Sequence, residues 1–327
     1  METFPVLLLS GLVVGYFVLA GCDIGLGMLM PHLARTPTER RRLVAAIAPY
    51  FLGTEVWLVG AFGVVAGLFP ALKGVLFEGG LWVVFSVLLA GWLSRDAGVW
   101  LRARVDRTGW HSACDTMITA GSWVMGTTWG LVVGGLLAGG NPLSPFGLIG
   151  ALTVMMLFLL RGAAFGAERL VPRQANGDHG APSADEAAFL TRLLARIGLG
   201  VIVVAAVVAL VPGSGLAVDR PFALAVSASV PVAALAATTG LSGPHLSRHT
   251  SALALAAIPV VVGAALGLPL HSAPASTLLL TGVAILPILP LMLVGQVALY
   301  RMLRRPADEH GFFVSTMPPL SDSPVNR

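Results

Sequence analysis

The sequence reads as an all-α polytopic membrane protein of about nine transmembrane helices, with its N-terminus outside the cytoplasm and its C-terminus inside. Three observations predict this. Hydrophobic residues make up 56% of the 327-residue chain, charged residues only 11%, and mean hydropathy is +0.85, whereas soluble globular chains carry about 25% charged residues. Apolar stretches long enough to cross a bilayer as helices recur along nearly the whole chain. The cations collect on alternate connections between those stretches.

The first stretch, Phe4 to Met30, meets no cation before Arg35. Its Leu19-Ala20-Gly21-Cys22 matches a bacterial lipoprotein cleavage signal, but a secretory signal opens with a cationic segment and Met1-Glu2-Thr3 has none, so this helix is expected to be retained. Ala46 to Phe69, Gly79 to Leu93, Met117 to Leu137 and Pro145 to Leu160 follow as helices two to five. Ile197 to Val211, Phe222 to Leu241, Ala252 to Leu270 and Thr277 to Leu299 are helices six to nine. The third and sixth are the shortest and reach spanning length only with their flanks. The many glycines inside these stretches suit close helix contact in lipid. A polar connection, roughly Gly166 to Thr191, reads as a cytoplasmic linker between a unit over residues 1–165 and a second over 192–305, with a polar cytoplasmic tail at 306–327.

Hydropathy places the helices without reference to sidedness, so the cations test the count independently. With loops alternating from an outside N-terminus, eighteen of the 20 Lys and Arg fall inside, leaving only Lys73 and Arg220 outside. That is the asymmetry of the positive-inside rule, and one helix more or fewer would scramble it. It also explains the net charge of +4 and pI near 9.7. No nucleic-acid partner is expected, because no basic run interleaves with stacking aromatics.

Cys22 and Cys114 form no disulfide framework, haem-attachment motif or zinc spacing, and read as packing residues. The seven histidines fall in or beside loops, whereas an intramembrane haem takes axial ligands projecting from helices into the bundle. No metal site or haem is expected in this chain, and no catalytic triad, P-loop or dinucleotide fingerprint is evident. Tyr16, Trp82, Trp92 and Tyr300 are expected near the membrane interfaces.

Carboxylates in or near spans are costly and mark function by default. Four qualify: Asp23, Glu55, Asp96 and Asp115. Asp23 lies about 28 Å along the first helix, close to the inner boundary. Asp96 is expected to end the third helix, Asp115 to begin the fourth, and Glu55 to lie in the first half of the second. Together they describe an acidic group on the inner half of the first unit, a candidate pathway for protons from the cytoplasm. The plainer alternative is that Asp96 beside Arg95, and Asp115 near Arg107, are ordinary paired carboxylates at helix ends. Glu55, between Thr54 and Val56-Trp57, has few partners nearby in sequence.

The order of motifs resembles a known family. Gly21-Cys22-Asp23-Ile24-Gly25-Leu26-Gly27-Met28-Leu29 is similar to the D-G-F-D-x-G-x-G-M-L stretch of subunit II of cytochrome bd-type quinol oxidases. Thr38-Glu39-Arg40-Arg41 resembles its D-E-R-R, and Ile47 to Leu58, with Pro49, Gly53, Glu55 and Trp57, resembles I-x-P-x-W-D-G-N-E/Q-V-W-L. Ala66 to Pro70, Arg95 to Arg102, Trp129-Gly130 and Asn141-Pro142 echo later features, and the likeness holds over about residues 10–165. The resemblance implies nine helices arranged largely as two four-helix bundles. It also implies a heterodimer with a haem-bearing subunit I that oxidises quinol and reduces dioxygen, a contribution to proton delivery, and a structural quinone or lipid within this chain. By position Asp23 and Glu55 match polar residues of the motifs, while Ala20, Leu52, Thr54 and Trp100 stand where the family has Asp, Asp, Asn and an acid. Leu52 cannot exchange a proton, and Glu55, three residues on, shares much of its helix face.

The expected function is therefore that of the non-haem subunit of a bd-like terminal oxidase in the cell membrane of a prokaryote. A polytopic secondary transporter and an assembly subunit without proton conduction are the alternatives.

Overall fold

A computed structural model describes residues 3–171, 182–240, 244–285 and 287–302. Within them run α1 (Thr3–Leu33), α2 (Pro37–Leu68), α3 (Pro70–Lys73) with a π-helical turn at Gly74–Glu78, α4 (Trp82–Arg102), α5 (Thr108–Leu137), α6 (Pro145–Arg169), α7 (Pro182–Leu210), α8 (Pro221–Gly240), α9 (Pro244–Ala265), α10 (Ala275–Ile285) and α11 (Ile288–Met302). Among the described residues nine segments are long and apolar enough to cross a membrane, α10 and α11 together supplying the ninth.

Local chemistry explains where these helices begin. Six of them, α2, α3, α6, α7, α8 and α9, open on a proline, whose missing N–H is no loss in the first turn and whose fixed φ suits a helix start. At α2 the Thr36 hydroxyl accepts from Glu39 N (3.2 Å), and the Glu39 carboxylate accepts from Thr36 N and Arg35 N (2.8 Å each), a complete capping box. Thr36→Ala is expected to lower the thermal midpoint of the purified protein by the equivalent of about 1 kcal/mol.

Several boundaries differ from the sequence expectation, and for one reason. Hydropathy ends where polar residues begin, but a helix with partners for its polar end continues past the hydrocarbon. Thus α1 runs on to Leu33, α4 to Arg102 and α6 to Arg169, while α2 starts at Pro37, α5 at Thr108, α7 at Pro182 and α9 at Pro244. Much of the expected linker at 166–191 is therefore helical, and residues 172–181 lie outside the described residues. In the ninth stretch α10 ends at Ile285 and α11 begins at Ile288, with Pro287 immediately before it. The tail at 306–327 and the side chain of Tyr300 also lie outside the described residues.

α1 occupies the centre, packing on α2, α5, α6 and α9, while α4 packs on α5. α6 pairs with α7 and α9, and α8 with α7 and α9, so α6 to α9 make one four-helix group and α1, α2, α4 and α5 another. The fifth span, placed with the first unit on the sequence, packs on α1 and α5 as well as on α7 and α9. α10 and α11 pack at the edge on α2.

Glycines set the closest crossings. A Cβ on Gly25 of α1 would strike Phe158 O of α6 and stand 2.8 Å from Gly162 N. A Cβ on Gly121 of α5 would stand 2.7 Å from Arg95 N and Gly91 O of α4. Such contacts bring backbones together where lipid supplies no hydrophobic drive between helices. Trp57 lies over Gly15, and Pro49 sits inside α2.

Candidate functional site

The α4/α5 crossing at Gly121 holds Arg95 against α1. Trp92, Arg95 and Asp96 follow at helical spacing on α4, so one face presents an indole, a guanidinium and a carboxylate. Arg95 Nη1 donates to Asp23 Oδ2 at 2.7 Å, and its Nε and Nη2 donate to Asp96 Oδ1 at 2.8 Å each. The side chains of Arg95 and Asp23 are 2% and 0% exposed. Asp23 Oδ1 also accepts from Ile24 N (2.9 Å). A buried ion pair survives desolvation only when its donors and lone pairs are satisfied in this way.

Glu55 closes the cluster from α2. Its Oε1 accepts from Trp92 Nε1 (3.2 Å), one turn from Asp96 on α4. Asp23, Arg95, Asp96, Trp92 and Glu55 thus form one polar chain across α1, α4 and α2.

Two of the four acids differ from their expected places. Asp23 lies ten residues before the end of α1. Asp96 does not end its helix, because α4 continues to Arg102. Asp115 stands apart from the other three: it accepts from Arg102 Nε (2.6 Å), not Arg107, with Arg40 Nη1 3.6 Å away. Arg102 lies two turns beyond Arg95, about 10 Å along the axis. Arg95, counted on the sequence among the inner loop cations, is the buried centre of the cluster, and Arg161 is likewise only 7% exposed, bonded to Val18 O, Arg248 O and Ser251 Oγ. Tyr16, expected at an interface, is 3% exposed, and its oxygen accepts from Trp129 Nε1 (2.9 Å). Only the third-span Trp92–Arg95–Asp96 run hinted at the missing partners.

The glycines of the first motif serve packing. Gly21 leaves room for Leu255 and for Arg161, whose Cγ would stand 2.6 Å from a Cβ, and Gly27 faces Ser122. Gly53 is half-buried in α2. Cys22 and Cys114 are free and buried. His32, His111, His245 and His249 occupy end regions of helices, and no cluster of three or more His, Cys, Asp or Glu suited to a metal occurs among the described residues.

Toward the end of the bundle that carries the α1 N-terminus lies an apolar cavity of about 420 Å³ between α1, α2, α5 and α9, with Tyr16 and Trp129 in its wall.

Residues 1–303 match the family described as cytochrome bd terminal oxidase subunit II. The chain belongs to that family. Subunit II here is 32% identical over 176 residues to cytochrome bd-I ubiquinol oxidase subunit 2 of Escherichia coli (strain K12), covering 49% of this chain and 46% of that protein. It is 33% identical over 128 residues to a probable cytochrome oxidase subunit 2 of Haemophilus influenzae, covering 39% and 34% of the two chains. Against cytochrome bd ubiquinol oxidase subunit 2 of Bacillus subtilis it is 26% identical over 172 residues, 49% and 51% of the two. The chain thus spans about half the length of the curated relatives it matches, or less. The resemblance drawn from the motifs agrees with this membership, and the transporter alternative gives way to it.

Proposed function

We propose that this subunit II works in the cell membrane of a prokaryote as the haem-free partner of a haem-bearing subunit I. The complex oxidises quinol and reduces dioxygen to water. In this reading the N-terminus faces outside and the C-terminus inside, and the chain helps carry protons from the cytoplasm. The observation that supports it is the Asp23–Arg95–Asp96 chain, buried at Asp23 and Arg95, with half-buried Glu55 bonded to Trp92 on the same face of α4, since intramembrane acids gathered in one polar group are the material of proton relays. Arg95 holds two of the acids in place, and Glu55 with Asp96 supplies the exchangeable proton. This offsets Leu52, which stands where the family's acid would be. The cavity beside Tyr16 fits a structural quinone or a lipid, being apolar, of ligand size and bordered by few polar groups.

A second reading has its own support. Asp23 and Arg95 satisfy each other so fully that the cluster also serves as a pin between α1 and α4 in a subunit without proton conduction. Glu55→Gln separates the two, because the amide keeps the Trp92 contact and loses the proton. Under proton delivery, oxygen consumption and membrane-potential generation by the assembled complex fall on the order of tenfold or more. Unchanged rates in both Glu55→Gln and Asp23→Asn would leave the pin. Reporter fusions at the two ends are expected to report opposite faces, and a shared face would overturn the orientation.

A further inference from the structure

α7 is 29 residues long, about 43 Å, so it is about 13 Å longer than the hydrocarbon of a bilayer is thick. The connection from its Leu210 end to α8 carries Asp219 and Arg220, which marks the polar boundary on that side. Counted from Leu210, a span of about 20 residues reaches to Thr191, so Arg192 and Arg196 stand inside it. Packing on α6 agrees. A Cβ on Gly166 would stand 3.3 Å from Ala187 Cβ, three residues before α6 ends at Arg169. Arg192 and Arg196 lie about 8 Å and 14 Å further along α7 than that contact, toward the membrane centre.

Both arginines are exposed, one turn apart on a single face, and neither has a hydrogen bond or ion pair with a described residue. The exposed side chains beside them, Phe189, Leu193 and Ile197, are apolar. The nearest acids before them on α7, Asp185 and Glu186, sit near its first turn, about 9 Å or more from Arg192 along the axis. A guanidinium facing hydrocarbon is costly unless it reaches the headgroups or meets an anion. Arg192 reaches them by snorkelling, whereas Arg196, about 6 Å deeper, needs an anion drawn toward it. Phosphate suits that role, because guanidinium binds it through paired hydrogen bonds. Gly200, one turn beyond Arg196, is exposed, and a Cβ there meets nothing within 4 Å, which leaves room for an acyl chain.

We propose that Arg192 and Arg196 bind the phosphate of an anionic glycerophospholipid in the leaflet at the Pro182 end of α7, with an acyl chain lying over Gly200. The site is separate from the apolar cavity, which no α7 residue lines. A lipid is favoured over an acidic protein segment because its phosphate stays anchored in the headgroup layer, while a protein carboxylate would have to be desolvated at that depth.

The test places the assembled complex in phosphatidylcholine vesicles with a trace of phosphatidylglycerol or phosphatidylcholine that carries a photoactivatable acyl chain, and maps crosslinked peptides by mass spectrometry. In wild type, labelling of α7 around Gly200 is expected to be about fivefold or more stronger with phosphatidylglycerol. Arg192→Gln with Arg196→Gln is expected to bring the two lipids level there at unchanged haem content, while Arg192→Lys with Arg196→Lys keeps most of the preference. If the glutamine pair disturbs assembly, Arg196→Gln alone reads the same loss. Equal labelling by the two lipids in wild type, or an undiminished preference in the glutamine variants, would overturn the site. An α7 labelled by neither lipid would overturn it too, by showing that protein covers this face. Ready modification of both arginines by p-hydroxyphenylglyoxal in vesicles rich in phosphatidylglycerol would do the same, by placing them in water.

Discussion

Arg95→Met is expected to destabilise the protein by about 3 to 5 kcal/mol and to cut the yield of intact complex sharply, because it leaves Asp23 buried with no counter-charge. Methionine preserves much of the volume, so the loss isolates charge from packing. Asp23 sits at 0% exposure, 2.7 Å from the guanidinium, and its remaining oxygen already accepts from Ile24 N. With the arginine gone, the carboxylate must either take up a proton or pull α1 toward water. Removing both partners together, as Asp23→Leu with Arg95→Met, is expected to restore part of the lost stability, since a buried ion pair replaced by apolar groups is often neutral while Asp96 still loses its guanidinium. Thermal unfolding of the purified complex checks both, and a single variant that melts with wild type would show that the pair carries no structural weight.

Gly25→Val is expected to be poorly tolerated as well. The added Cβ meets Phe158 O and, at 2.8 Å, Gly162 N, both main-chain atoms that cannot rotate away. Overpacking a good core costs about 1 to 3 kcal/mol, and more when the obstacle is backbone. The α1/α6 crossing joins the two bundles, so its separation displaces the central helix on which the charged cluster is built. Gly63→Ala, where a Cβ meets nothing within 4 Å, serves as the control and is expected to stay within about 0.5 kcal/mol. Size-exclusion profiles of the two variants in mild detergent distinguish them, and a monodisperse Gly25→Val complex would refute the crossing.

The candidate site was legible in part. Asp23, Glu55 and Asp96 stand out because acids are rare inside apolar stretches, and rarity is visible in one dimension. Their shared partner was not. Arg95 follows an apolar run and therefore looks like a loop cation, whereas α4 extends seven residues beyond it and buries it. Asp115 looked equivalent to the other three but pairs with Arg102 and Arg40 nearer the helix ends. Tyr16 resembled an interface anchor because an aromatic with a polar tip suits either a wet boundary or a buried hydrogen bond, and only Trp129, 113 residues away, decides between them.

By itself the sequence determined the number of spans and the family. Both follow from local quantities: transfer of about 20 apolar residues into hydrocarbon is a sum over a short window, and a motif is an order of neighbours. The tertiary structure alone decided which charges meet. Arg95 and Asp23 are 72 residues apart, and whether they touch depends on how closely α4, α5 and α1 cross. That approach is set by glycines whose effect lies in the atoms they lack.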